Sequence, residues 1–251
     1  MNSKENLLIP IWSRQHGAYT TLITSWLIGT LLSGQIGILH PIILIFLVAG
    51  FNFSEFLQDV QLRNSPMSKR KKLWFFIYAT AMALSGIFLL FNVPVLVYVL
   101  PFLIIVGAVF ILLTKMRKHK NITTEFLSFA AISAGGLIAF NPSDEPQFSV
   151  LFPVWLLMFL YFSSSIFIVK IRFDRVDYKE VILYLLVSSA ILIFVIHPVP
   201  VVWLTIMLMF IRLSPLLFIQ SWFTRLKIKT IGFTELGFQI LFIVIIVSCL
   251  K

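Results

Sequence analysis

Residues 95–114 read VLVYVLPFLIIVGAVFILLT, twenty consecutive positions without a charged side chain. A bilayer core of about 30 Å is crossed by about 17–25 mainly apolar residues in a helix, so this stretch predicts a transmembrane helix. Eight more stretches of the same kind lie along the chain, separated by Pro, Gly, Asn or basic clusters. The nine predicted spans are 17–34, 38–57, 73–91, 95–114, 123–140, 150–169, 181–196, 198–213 and 232–250.

The composition of the whole chain agrees with a membrane protein. Of its 251 residues 59% are hydrophobic and only 12% are charged, and the mean hydropathy is +1.00. Soluble domains are about 45–50% apolar and about 25% charged, which excludes an ordinary soluble domain. Because no repeat and no linker divides the chain, residues 1–251 are predicted to form a single all-α domain, a polytopic membrane bundle of nine transmembrane helices.

Spans seven and eight meet at His197-Pro198-Val199-Pro200. Each proline removes an amide donor and disfavours helix at the residue before it. We therefore expect a tight hairpin between two helices rather than one long helix.

The basic residues are unevenly distributed among the predicted loops. Twenty Lys and Arg stand against ten Asp and Glu, a formal net charge of +10. With a cytoplasmic N-terminus, all of these cations except Lys251 fall at cytoplasmic span ends, as the positive-inside rule requires. This explains the positive charge without nucleic acid and favours contact with anionic membrane lipids, above all at Lys69–Lys72. We expect an integral protein of the cell membrane.

The chain ends carry two smaller signals. The N-terminal residues lack the pattern of a cleaved signal peptide, so the first span is expected to be retained. The single Cys249 leaves no intrachain disulfide and no Cys-based metal site.

Acidic side chains beside lipid are costly and are usually kept for a reason. Two close pairs are found, Glu55 with Asp59 at the end of span two and Asp174 with Asp177 just after span six. Carboxylates together with substrate phosphates are typical ligands of Mg²⁺, and Arg and Lys pair with phosphate oxygens. We predict that these four carboxylates bind Mg²⁺ and that the ligand is a diphosphate. The alternative is that each pair only neutralises nearby bases.

Other polar residues share the same predicted membrane face. His16, beside Arg14 at the start of span one, can bind phosphate, shuttle protons or ligate metal, or it is simply an interfacial histidine. The predicted catalytic residues are His16, Arg14 and Arg172. If the protein is an enzyme, Arg14, Arg63 and Arg172 are expected to stabilise charge on a departing pyrophosphate. The residues predicted to bind the metal–diphosphate unit are Arg63, Lys69 and Lys170.

Glu125 and Glu235 each stand near the start of a span, where the helix dipole favours a negative group. We assign Glu125 to the dipole and leave Glu235 open between the dipole and a functional role.

This arrangement resembles the UbiA superfamily of intramembrane prenyltransferases, which have nine spans and two Asp-rich cytoplasmic motifs, after spans two and six. The first motif, N-D-x-x-D-x-x-x-D, laid over residues 51–59, matches by acid type at Glu55 and identically at Asp59. Phe51 and Asn52 occupy its first two positions, and the spacing of the second motif is one residue shorter than D-x-x-x-D. The resemblance implies a UbiA-like bundle that binds an isoprenoid diphosphate with Mg²⁺ and transfers the prenyl group.

A second resemblance comes from the opening Ile9-Pro10 and Arg14-Gln15-His16-Gly17-Ala18-Tyr19. It is similar to the P-x-E-H-G-A-W opening of YwiC-like membrane proteins, with Gln15 and Tyr19 in place of the acid and the Trp. Residues 232–236, Gly-Phe-Thr-Glu-Leu, resemble the Gly-x-x-Glu-Leu of that family before its last span. This resemblance implies location and fold rather than a settled activity.

Two functions stay open at this point. One is an isoprenoid diphosphate-binding enzyme of the prenyltransferase type. The other is a non-catalytic YwiC-like membrane protein that binds a lipid, transports a small solute or assists a membrane complex. The altered acidic motifs favour the second function.

Overall fold

The computed structural model describes residues 7, 9–12, 16–63, 68–116, 121–140, 147–171, 177–197, 199–218 and 226–251. Within these residues the chain forms ten helices and no strand. The helices are α1 His16–Leu32, α2 Leu39–Arg63, α3 Lys69–Asn92, α4 Pro94–Lys115, α5 Ile122–Phe140, α6 Phe148–Ser163, α7 Ser165–Ile171, α8 Tyr178–Ile196, α9 Pro200–Phe218 and α10 Ile228–Leu250.

These helices form the predicted multi-pass membrane bundle. In the described part of the chain, eight helical stretches are long and apolar enough to cross a membrane, and Phe148–Ile171, made of α6 and α7, is one of them. α1 has 17 residues, at the lower end of the range of about 17–25 that crosses a bilayer. The predicted spans are thus confirmed by length and composition from the second to the ninth, and the first corresponds to the shorter α1.

α8 and α9 are separate helices, as the two prolines predict. α8 ends at Ile196, His197 takes a left-handed φ of 67°, and α9 begins at Pro200. The Val199 N–H donates to the His197 carbonyl at 2.8 Å and closes the turn.

The helices pack as two groups that α1 joins. α2, α3, α4 and α5 pack together, and α6, α8, α9 and α10 form the second group. α1 packs against α5 of the first group and against α10 of the second, and α5 also contacts α6. Buried apolar residues from both groups, among them Leu96, Met158 and Phe242, belong to one continuous core.

α1 and α5 approach closely because both carry small residues. A Cβ on Gly29 would lie 2.0 Å from the Gly136 carbonyl oxygen, and a Cβ on Gly136 would lie 2.7 Å from the Ser25 carbonyl oxygen. The Ser25 hydroxyl donates to the Ile132 carbonyl at 3.0 Å. Helices in a membrane associate through such close packing, since lipid gives no hydrophobic driving force between them. α1 is therefore fixed directly against α5.

Charged residues gather at one end of the bundle. This end holds the start of α1 and the end of α2, and its cations include Lys69, Lys115, Lys170 and Lys227. We call it the basic end; it is the end predicted to face the cytoplasm.

Candidate functional site

Two hydrogen bonds set the register between α1 and α2. The Trp26 Nε1–H donates to the His40 carbonyl at 2.9 Å, and nearer the basic end the Tyr19 hydroxyl donates to Oδ1 of Asn52. Asn52 is buried, and its amide nitrogen donates to the Val48 carbonyl at 2.8 Å. α1 and α2 are therefore antiparallel neighbours joined by polar contacts inside an apolar bundle.

This register brings the start of α1 beside the acidic end of α2. His16 precedes Tyr19 by three residues and Glu55 follows Asn52 by three residues, close to one helical turn in each case. Because the two helices are antiparallel, the backbones of His16 and Glu55 lie at the same level of the basic end. The Glu55 side chain is half-buried there.

The segment before α1 is fastened to one face of α3. Arg70, Trp74 and Tyr78 are spaced four residues apart and so share that face. All three donate hydrogen bonds to backbone carbonyls: Arg70 Nε to Ile9 at 2.9 Å, Trp74 Nε1 to Leu7 at 3.1 Å and Tyr78 Oη to Ile11 at 3.1 Å. Leu7, Ile9 and Ile11 are thus held at the basic end.

An ion pair joins α7 to the start of α5. Lys170 Nζ lies 3.1 Å from Glu125 Oε1, with the lysine side chain 5% exposed and the glutamate side chain 36% exposed. Glu125 lies in the first turn of α5, where the helix dipole also favours it. Glu125 therefore does more than the predicted dipole role, and Lys170, predicted to bind diphosphate, has a carboxylate partner.

A second ion pair lies deeper, where α6 ends and α7 begins. Arg212 of α9 pairs with Glu235 of α10, and the arginine side chain is 0% exposed. Each of the five N–H groups of the guanidinium finds an acceptor. The acceptors are both carboxylate oxygens of Glu235, the Tyr161 carbonyl and the hydroxyls of Ser164 and Ser165. A charge inside an apolar bundle is costly unless it is paired in this way.

Tyr161 connects this ion pair to the helices around it. Its ring centroid lies 4.8 Å from Arg212 Cζ, within cation–π range. The ring also stacks on Phe242 with 3.7 Å between centroids, and the hydroxyl donates to the Phe238 carbonyl at 2.8 Å. α6, α9 and α10 are joined through this one polar cluster.

Several of the predicted site residues are only partly described or not described. Arg14, Arg172 and Asp174 lie outside the described residues, and so do the side chains of His16, Asp59 and Arg63, whose backbones are helical. Lys69 is exposed in the first turn of α3, which Ser68 caps by accepting a hydrogen bond from the Lys71 N–H.

Asp177 acts as the N-cap of α8. Its carboxylate accepts from the Tyr178 N–H at 2.6 Å, and the Glu180 carboxylate accepts from the Asp177 N–H at 3.2 Å, which completes a capping box. The helix of the sixth span does not continue through Asp177, because α7 ends at Ile171 and α8 begins at Tyr178. Asp177 is not part of that helix, so the predicted helix face shared by Asp174 and Asp177 does not extend to Asp177.

The described residues do not by themselves fit a magnesium site. Among them, no three His, Cys, Asp or Glu side chains come together closely enough to hold a metal ion. Asn52, at the second position of the first acidic motif, bonds to Tyr19 and Val48 instead. Mg²⁺ stays a prediction that depends on Asp59 and Asp174.

The fold and these polar clusters define a multi-pass helical membrane protein with its charged groups at one end of the bundle. A family model described as YwiC-like protein matches residues 12–140, and the chain belongs to the YwiC-like family. The match reaches from Trp12 to the end of α5 and includes His16, Asn52 and Glu55. No curated protein and no solved structure matches the chain. The predicted YwiC-like membership is confirmed, and the resemblance to the UbiA superfamily stays a prediction.

Arg212 is the main residue that the sequence does not reveal. It stands near the end of a span, as topological cations do, and nothing in its neighbourhood marks it as buried. Glu235 does carry a signal, the Gly-x-x-Glu-Leu pattern of residues 232–236. Its ion pair with Arg212 shows that it does more than favour a helix start.

Proposed function

We propose that the protein binds an isoprenoid diphosphate at the basic end of its bundle. The observation that carries the proposal is the hydrogen bond from Tyr19 to Asn52, which places His16 level with Glu55. The first turn of the YwiC-like opening and the first acidic motif are thereby neighbours. The ligand has a diphosphate head and an apolar tail. The charged side chains of the basic end suit the head, and the lipid-embedded helices beside them suit the tail.

The position of α5 supports the same location. α2, which carries the first acidic motif, and α7, which leads to the second, both contact α5. At the start of α5 the ion pair between Glu125 and Lys170 adds a further charge of each sign. The proposed ligand would lie at the basic end, where this ion pair and the half-buried Glu55 of α2 both lie.

Ligand titrations test the proposal on the purified protein in lipid nanodiscs. Farnesyl diphosphate is expected to bind more tightly than farnesol, which lacks the charged head, and more tightly than inorganic pyrophosphate, which lacks the tail. Each buried methylene of the tail contributes about 0.8 kcal/mol. Farnesyl diphosphate that binds no better than farnesol would refute the proposal.

Two substitutions locate the binding site. With Mg²⁺ present, Glu55→Gln and Lys170→Gln are each expected to weaken farnesyl diphosphate binding about tenfold, which corresponds to ~1.4 kcal/mol. Glu55→Gln would remove a carboxylate ligand of the cation that bridges to the diphosphate, and Lys170→Gln would remove a positive charge that attracts the phosphate oxygens. Lys229→Gln is the matched control, because it removes one positive charge from the exposed start of α10. Equal weakening by Lys170→Gln and Lys229→Gln would mean that general positive charge, and not this site, binds the ligand.

A non-catalytic lipid-binding role is the second candidate. Two residues of the acidic motifs favour it. Asn52 stands where the UbiA motif has an acid, and it bonds to Tyr19. Asp177 caps α8. The same titration with Mg²⁺ and with a chelator separates the two functions. Loss of binding in chelator supports metal-dependent prenyl transfer, and binding that persists supports the non-catalytic role.

A further inference from the structure

The ring of His40 closes the end of the bundle that lies opposite the basic end. His40 is in the first turn of α2 and is 2% exposed. Its Nε2 lies 3.1 Å from the Ala139 carbonyl oxygen near the end of α5 and 3.2 Å from the hydroxyl of Ser33, which directly follows α1. Its Nδ1 accepts from the Gly37 N–H at 3.1 Å. One imidazole ring therefore joins α1, α2, α5 and the 33–38 connection.

These contacts require the neutral form of the ring. A carbonyl oxygen only accepts, so Nε2 carries the proton that is donated to Ala139. The Gly37 N–H only donates, so Nδ1 carries no proton. A second proton on Nδ1 would displace the Gly37 N–H, and the Gly37 carbonyl, 3.4 Å from Nδ1, already accepts from the His40 N–H at 3.2 Å. The imidazolium ion therefore does not fit this arrangement.

The described surroundings of the ring contain no counter-ion for a positive charge. All hydrogen bonds of the ring within the described residues are with uncharged groups. α3 and α4 also pack on α2, and of their titratable residues Tyr98, which is exposed, lies toward this end. Asp144 and Glu145, between α5 and α6, lie outside the described residues. The other charged or titratable residues of α1, α2 and α5 lie toward the basic end: His16, Tyr19, Glu55, Asp59, Arg63 and Glu125. Because a buried charge without a partner is costly, protonation favours a form in which the ring is in water.

We propose that His40 is a pH-sensitive latch, which holds the 33–38 connection closed on α1 and α5 when the ring is neutral and releases it when the ring is protonated. The closed form binds fewer protons than the open form, so the closed form is lost as the pH falls. Histidine in water changes its charge around pH 6.5. When only the open form takes up the proton, opening is about tenfold more frequent at pH 5.5 than at pH 7.5. The inference does not depend on the ligand proposed for the basic end.

Amide hydrogen exchange of the purified protein in nanodiscs at pH 7.5 and pH 5.5 tests the latch. Each rate is divided by the rate of an unprotected amide at the same pH, which removes the direct effect of pH on exchange. The corrected exchange of residues 33–42 is expected to be about tenfold faster at pH 5.5, while that of α4 stays unchanged. His40→Gln has no titrating ring but has an amide that donates as Nε2 does, so its corrected exchange should not depend on pH. His40→Asn, whose side-chain oxygen replaces Nδ1 as an acceptor, serves if His40→Gln does not fold.

Two controls address other titratable residues on the same side of the bundle. His197→Gln removes an exposed histidine at the turn between α8 and α9. The double variant Asp144→Asn with Glu145→Gln removes the two acids between α5 and α6. Both controls should show the same tenfold dependence on pH as the wild type.

Corrected exchange of residues 33–42 that is equal at the two pH values in the wild type would overturn the inference. A dependence on pH that persists in His40→Gln, or that disappears in either control, would also overturn it, because another group would then be the one that titrates. Faster exchange in every helix at pH 5.5 would count against the latch as well, since it would indicate a general loss of stability.

Discussion

Asn52 shows how one residue inside an acidic motif can serve packing instead of metal binding. Its side-chain oxygen accepts from the Tyr19 hydroxyl, its amide nitrogen donates to the Val48 carbonyl at 2.8 Å, and it is 1% exposed. An aspartate could accept from Tyr19 but could not donate to Val48. It would also place a carboxylate in an apolar interior, which is costly without a partner. Asparagine is therefore the better residue for joining α1 to α2.

Asn52→Asp introduces an acid at the position where the similar UbiA motif has one, and we expect it to destabilise the protein without creating a metal site. The free energy of unfolding should fall by about 1–3 kcal/mol, because the side-chain hydrogen bond to the Val48 carbonyl is lost and a carboxylate is buried. Thermal unfolding of the purified protein, with and without Mg²⁺, measures both effects.

Asn92→Asp is the control for this change. Asn92 donates the same kind of bond to the carbonyl four residues earlier, Phe88, at 2.8 Å, but from an exposed position. Its effect should be much smaller. Stabilisation of Asn52→Asp by Mg²⁺ would show that this position keeps the metal-binding role of the motif.

For the site, the sequence predicts which residues are charged but not which of them form pairs. The acidic character of Glu55 and the motif around Glu235 are visible in the sequence. In the bundle Glu55 is half-buried and Glu235 pairs with Arg212. The pairing of Glu235 with Arg212 is not predictable, because it depends on how α9 and α10 are rotated about their axes. The same holds for Lys170 and Glu125, which are brought together by the packing of α7 on α5.

At the scale of elements, the contact between α1 and α5 is the tightest helix approach that the glycines reveal. The atoms that would meet a Cβ on Gly29 belong to the backbone of Gly136 and Phe140. Backbone atoms cannot turn aside as a side chain can, so a methyl group here would push the two helices apart. α1 depends on this contact more than longer spans would, because it has only 17 residues.

Gly29→Ala is therefore expected to lower the thermal stability of the protein markedly. Overpacking costs about 1–3 kcal/mol and occasionally more, and here the clash is with backbone. Gly107→Ala is the control, because no atom lies within 4 Å of a Cβ at Gly107 and alanine is the better helix former. Thermal unfolding of both variants in detergent compares them. Equal unfolding temperatures would contradict the close approach of α1 and α5.

Most of the helices were predictable from the sequence, but their interruptions were less so. Long apolar runs without charge predict spans because the bilayer sets their length, and prolines predict the α8–α9 hairpin because they remove backbone donors. The boundary between α6 and α7 at Ser164 has a local contribution from its hydroxyl, which bonds to the Tyr161 carbonyl, whereas the bond from Arg212 comes from a helix that is distant in sequence. A 3.6-residue pattern cannot show such a contact, since the long apolar runs of these helices leave no single apolar face to recognise.

At the scale of the whole molecule, α1 is one of two elements that join the helix groups, beside α5, which packs on α6. It bonds to α2 through Tyr19, packs on α5 through Gly29 and joins α10 through Thr24, whose hydroxyl donates to Gln239 Oε1 at 2.9 Å. The basic end holds the starts of α1, α5 and α10 and the ends of α2 and α9, so helices of both groups meet there. This arrangement is consistent with the binding site proposed at that end.

The distribution of charge gives the last prediction, the orientation of the bundle in the membrane. Nine spans with a cytoplasmic N-terminus place every Lys and Arg except Lys251 at cytoplasmic span ends. A fluorescent protein fused to the N-terminus should therefore be fluorescent, and alkaline phosphatase fused after Lys251 should be active, since it folds only outside the cytoplasm. The N-terminal reporter tests whether the short α1 crosses the membrane. If α1 did not cross, the N-terminus would lie on the same side of the membrane as the start of α2, outside the cytoplasm, and the fusion would not be fluorescent. The C-terminal reporter tests the longer spans together. Both reporters are also fused separately at the C-terminus. If the phosphatase is inactive there and the fluorescent protein is bright there, the C-terminus is cytoplasmic and the predicted orientation is rejected.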